Sequence, residues 1–184
     1  YSSIFAVYFF AGGVVGAMAT LIVAVLGLQR LGVITQAVGV EHQHDLGKLL
    51  FAFVFFWGYV SFSQFMLIWY ADLPEETFWY RERFHGSWLT LSWVLLLGHF
   101  VVPFAGLLSR HAKRKLWLLS FWAVWLLCMH AVDLFWLVMP AVEHQGALVR
   151  SMDAACLVGV GGIWLFCLTR LAAKAALIPV NDPR

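Results

Sequence analysis

Leu116–Met139 reads LWLLSFWAVWLLCMHAVDLFWLVM, a 24-residue run with one acidic residue and no lysine or arginine. At a rise of ~1.5 Å per residue, such a run crosses a hydrocarbon core of ~30 Å as a single α-helix. Its interior holds His130 and Asp133. A charge at that depth is costly, so groups of this kind face a packed bundle interior or a hydrated path, and they become the first candidates for function.

Four more apolar runs surround it, at about 4–28, 46–70, 87–108 and 154–176. Hydrophobic residues make up 62% of the 184 positions and charged residues 12%, about half the charged share of a soluble domain. The runs are long and do not alternate, which selects helices over a β-barrel. The expected fold is an all-α integral membrane protein with five transmembrane helices in a single domain, a four-helix bundle plus one additional helix. The basic residues lie at helix ends and form no stripe, so the lipid bilayer is an expected partner and nucleic acid is not. Cys128, Cys156 and Cys167 lack CxxC spacing and are expected to be small buried hydrophobes, neither metal ligands nor a disulfide framework.

Arg30, Lys48, Arg110, Lys113, Arg114, Lys115, Arg170, Lys174 and Arg184 fall on one side of the spans; Arg81, Arg83 and Arg150 fall on the other. Lysine and arginine concentrate in cytoplasmic connections, so the first side and the C-terminus are expected to be cytoplasmic. The loops at 72–83 and 143–150 are expected to be exterior. An odd number of spans starting outside matches the second half of an even-span protein, so the chain is expected to belong to a longer polypeptide. Trp69, Tyr70, Trp79, Tyr80 and Trp117 stand where interfacial aromatic anchors occur. Leu73-Pro74-Glu75-Glu76 suggests a short surface helix, with proline in its first turn and acids at its N-terminus. Its acidic face suits an extrinsic subunit.

Depth ranks the polar residues. Asp133 lies six residues before Met139, or ~9 Å below the exterior end of its helix. His130 is one turn deeper on nearly the same face. His99, in the third span, lies deeper still, and Ser92 precedes it by two turns. Acids and imidazoles so graded suit a proton path, with Asp133 as the titrating acid, His130 its partner and His99 the midplane relay. Pro103 lacks the N–H that would bond the His99 carbonyl, which predicts a kink opening that carbonyl to water. On the second span, Tyr59 and Ser63 continue one edge, and Ser61 and Gln64 the opposite edge, as secondary path candidates. Glu41, His42, His44, Asp45 and Lys48 form a titratable mouth at the cytoplasmic end. Three other readings remain open: His99 and His130 as axial ligands of a b-type haem, a quinone pocket near these groups, and a purely structural role.

The run from His44 through Leu46-Gly47-Lys48-Leu49-Leu50-Phe51-Ala52-Phe53 continues to Trp57, Gln64 and Ile68-Trp69-Tyr70. With Leu73-Pro74-Glu75-Glu76-Thr77, the Glu41-His42-Gln43 lead-in and Gly86-Ser87-Trp88, it resembles the ActF family. These are NrfD-like membrane subunits of bacterial alternative complex III, a quinol:cytochrome c oxidoreductase. The likeness is strongest from Glu41 to about Pro103. It implies a fold with twice as many helices in two bundles, of which this chain matches the C-terminal half. It also implies a multi-pass location in the bacterial inner membrane and a scaffold subunit without a redox cofactor, proposed in the family to supply a proton pathway. The implied partners are an NrfD-like ActC subunit, iron–sulfur and c-type haem subunits, and a terminal oxidase, with quinol as substrate of the complex.

Overall fold

A computed structural model describes residues 4–34, 38–142, 146–147 and 149–174, and every regular element among them is helical. Five helical segments are long and apolar enough to cross a bilayer: Ile4–Arg30, Val40–Ala71, Gly86–Leu108, Leu116–Ala141 and Ser151–Ala172. The chain is an all-α, multi-pass membrane protein. The chain divides into two compact units, Tyr1–Ala147 and Leu148–Arg184. Of the expected 143–150 loop, only 146–147 and 149–150 are described; Arg184 and positions 175–176 of the last expected span lie outside the described residues.

The first unit holds four spanning segments: α1 (Ile4–Arg30), α2 (Val40–Ala71), the third segment and α7 (Leu116–Val138). The third segment is built of α4 (Gly86–Leu95), a π-helical turn (Leu96–Val101) and α5 (Val102–Leu108). Short α3 (Pro74–Arg83) and α6 (Arg110–Arg114) mark the two ends of the bundle, and a 3-10 turn over Met139–Ala141 closes α7. The second unit holds α8 (Ser151–Ala172), an apolar helix with no buried residue.

These helices are apolar all round, so the inward face is marked by small and polar residues at three- and four-residue steps. On α1 that face is Tyr8, Ala11, Gly12, Val15, Gly16, Ala19, Ile22 and Leu26, and it packs mainly on α7 and α2. On α7 it is Leu119, Ala123, Leu126, Asp133 and Trp136.

Several boundaries differ from expectation. Helix α2 begins at Val40, six residues before the expected start of its span, so Glu41 to Asp45 form its first turns rather than a loop. The three cysteines stand on exposed faces, not buried ones. Asp72 adopts a left-handed conformation that ends α2, and Pro74 starts α3 with Glu75 and Glu76 in its first turn, as the sequence pattern suggested. Trp69, Tyr70 and Trp117 are exposed at 53%, 90% and 62%, as interfacial anchors are. Trp79 and Tyr80 instead pack into the core cluster.

Two prolines shape the backbone. Pro103 follows a π-helical turn, in which Val102 N–H bonds the Leu97 carbonyl five residues back. In that register the carbonyl facing Pro103 belongs to Gly98, not His99, and Trp125 Nε1 of α7 donates to it at 2.8 Å. Pro140 likewise withholds a donor from the Trp136 carbonyl. Arg83, 2% exposed, supplies it: Nε donates to Trp136 O at 3.3 Å and a terminal nitrogen to Leu137 O at 2.9 Å. The guanidinium also donates to Trp79 O at 2.8 Å and lies 3.6 Å over the Trp79 ring. Burial pushes Arg83 down to about 10, which leaves it cationic at neutral pH, a favourable charge at the C-terminal end of α7. Arg83→Ala should therefore destabilise the bundle by about 2–4 kcal/mol, measured as thermal unfolding in detergent, whereas Arg81→Ala should change little.

Candidate functional site

Tyr8, one turn into α1, donates its hydroxyl to Asp133 Oδ1 of α7. Both are nearly sealed from solvent, with exposures of 5% and 2%. One turn deeper, the half-buried His130 ring lies against the α1 backbone. An ideal Cβ on Gly16 would stand 2.8 Å from His130 Cδ2, and one on Gly12 would stand 3.2 Å from Asp133 Oδ2. The GxxxG of α1 thus does more than let two helices touch. It makes room for the acid and the imidazole carried by α7.

His99 sits in the π-helical turn with 0% exposure. Its ring packs on Trp57 of α2 with centroids 4.1 Å apart, and it lies 6.4 Å from the His130 ring. Neither ring nitrogen of His99 has a hydrogen-bond partner among the described residues, nor does Nδ1 of His130. A neutral imidazole carries one donor and one acceptor, and leaving both unmet in a dry interior is costly and uncommon. Asp133, His130 and His99 are therefore brought together in one column running inward from the α3 end.

The secondary candidates scatter. Gln64 is buried at 4% exposure on the inner face of α2, in helical register with Trp57. Ser61 donates to the Trp57 carbonyl at 2.7 Å, and Ser63 is half-buried on the same helix. Tyr59 is 61% exposed and points out of the bundle, away from the column. Ser92 belongs to the Arg83 cap: it donates to Trp88 O at 2.9 Å and accepts from Trp136 Nε1 at 2.8 Å.

At the α6 end the titratable residues largely satisfy one another. Glu41 pairs with Arg114, and Asp45 with Lys48 at 2.7 Å. His42 Nδ1 accepts from the Gly39 amide at 3.2 Å, which caps α2. His44 Nδ1 is buried and unpartnered. Lys113 lies 4.7 Å over the Phe51 ring; burial, and then the nearby Lys48 charge, push its ammonium below the ordinary lysine value.

Tyr8, Trp57 and Arg83 are the neighbours that sequence reasoning missed, whereas Gly12 and Gly16 read from sequence as a GxxxG packing face without a link to the acid or the imidazole. A signal was present for Tyr8, because it repeats with Gly12 and Gly16 every four residues and shares their helix face. Fold and site together define a polytopic α-helical membrane protein with a buried acid–imidazole column. No protein-family model matches the chain, and no curated protein matches it.

Gly16→Ala should force the His130 ring to move and cost about 1–3 kcal/mol. Gly13→Ala, with nothing within 4 Å of its Cβ, should be neutral or slightly stabilising. Thermal unfolding of the two variants side by side checks this.

Proposed function

We propose that this chain is a membrane subunit of a bacterial respiratory quinol:cytochrome c oxidoreductase of the alternative complex III type, acting as scaffold and proton path. Support comes from the resemblance to the ActF family between Glu41 and Pro103 and from the chemistry of the bundle interior. The observation that carries the proton reading is the Tyr8–Asp133–His130–His99 column, with three imidazole nitrogens sealed and unpartnered. A separation of 6.4 Å between the His99 and His130 centroids is too long for a direct N–H···N bond and suits one bridging water. Asp133 takes up or releases the proton near the α3 end, His130 passes it inward, and His99 holds it near mid-depth.

In this reading the chain lies in the inner membrane with the basic α6 end toward the cytoplasm. It carries no redox cofactor of its own. The quinol reaction, the iron–sulfur clusters and the c-type haems belong to partner subunits, among them an ActC-like membrane subunit, with a terminal oxidase downstream. Nothing in the packing favours the haem-ligand alternative: His130 lies against Gly12 and Gly16, and His99 against Trp57. A structural role has one observation in its favour, because the Tyr8–Asp133 hydrogen bond ties α1 to α7.

Assembled complex in proteoliposomes separates the two. Asp133→Asn and His130→Ala should each slow coupled proton movement about a hundredfold while leaving the amount of assembled complex unchanged. Lower assembly with normal coupling in the complex that remains would establish the structural role instead.

A further inference from the structure

His44, Gly47, Lys48 and Phe51 follow helical spacing along one face of α2, and Arg110, Lys113 and Arg114 do the same on α6. The two faces meet. An ideal Cβ on Gly47 would stand 2.9 Å from Lys113 Cγ, and Lys113 Nζ lies over Phe51. Lys48, Arg110, Lys113 and Arg114 all lie close enough to His44 to act on its imidazole electrostatically. The two acids in this region are already engaged, Glu41 by Arg114 and Asp45 by Lys48. Among the described residues Arg110 and Lys113 have no ion pair, although Lys113 is 8% exposed. Two further polar atoms here, Arg114 Nε and His44 Nδ1, are buried without a partner. Positive charge that no carboxylate offsets, beside buried polar nitrogens without a partner, favours an anion.

We propose that the seam between α2 and α6 binds a phosphate group, supplied by the headgroup of an anionic phospholipid or by free phosphate. Phosphate presents several acceptor oxygens to guanidinium and ammonium donors at once. The setting is that of a headgroup: α6 lies between two spanning segments, Gly86–Leu108 and Leu116–Ala141, at the level where exposed Trp117 marks the interface. Basic pockets between membrane helices take anionic headgroups in this way.

The full chain in detergent is titrated with phosphatidylglycerol, with phosphatidylcholine of the same acyl chains and with inorganic phosphate, read by thermal unfolding and native mass spectrometry. Phosphatidylglycerol should be retained and raise the unfolding temperature, and phosphatidylcholine should do neither. Arg110→Gln with Lys113→Gln should weaken phosphatidylglycerol binding about tenfold, while Lys113→Arg preserves it. Should the double variant fail to fold, the exposed Arg110→Gln alone carries the comparison, with about a fivefold loss. Stabilisation by inorganic phosphate that matches the lipid's would assign the site to the free anion, and a lipid-specific effect would assign it to the headgroup. Equal effects of the two lipids without a phosphate effect, or undiminished binding in the variants, overturns the proposal.

Discussion

A backbone carbonyl inside hydrocarbon has no water to turn to, so each one that the helix ladder releases must find a donor on the protein. Pro103 and Pro140 each remove such a donor. The chain answers both from a neighbouring element: Trp125 Nε1 on α7 reaches Gly98 O, and Arg83 at the end of α3 reaches Trp136 O and Leu137 O. These bonds cross between elements, so repairing the backbone also locks the third spanning segment to α7 and α3 to the end of α7. The Arg83 cap continues through Ser92, which accepts from Trp136. Local backbone chemistry is in this way converted into tertiary order.

The acid–imidazole column depends on that order and on the absence of side chains opposite it. Gly12 and Gly16 allow α1 to lie against Asp133 and His130, and Tyr8 on the same face supplies the donor that Asp133 accepts. On the other side Trp57 closes over His99. The column is thus enclosed by α1, α2, the π-helical turn and α7, and its unpartnered nitrogens are a property of the whole bundle rather than of any one helix.

How much of this was legible beforehand varies with the physical signal. The five spans were plain because uninterrupted apolarity over bilayer length has few other meanings. The start of α2 was hidden, because Glu41 to Asp45 is polar enough to read as a loop although the helix already runs there. His99, His130 and Asp133 stood out as titratable residues in apolar runs, while their facing one another could be read only from the packing of α7 against the third segment. The π-helical turn left no trace in composition, so the freed carbonyl was assigned to His99 instead of Gly98. Arg83 resembled any loop cation; its meaning depends on Pro140, 57 positions later, and no local pattern links the two. Trp79 and Tyr80 misled for the same reason, since their burial follows from the docking of α3.

The π-helical turn at Leu96–Val101 also bears on what one inserted residue does for such a bundle. A turn of this kind holds one residue more than the α-helix around it, and each residue advances a helix by about 100°. Loss of one codon there would restore an even coil, yet the imidazole would keep its facing, since Leu95 and Pro103 stand four residues to either side of it and both are buried. The extra residue therefore serves the backbone and not the side chain: it turns Gly98 O out of the ladder to where Trp125 can reach it.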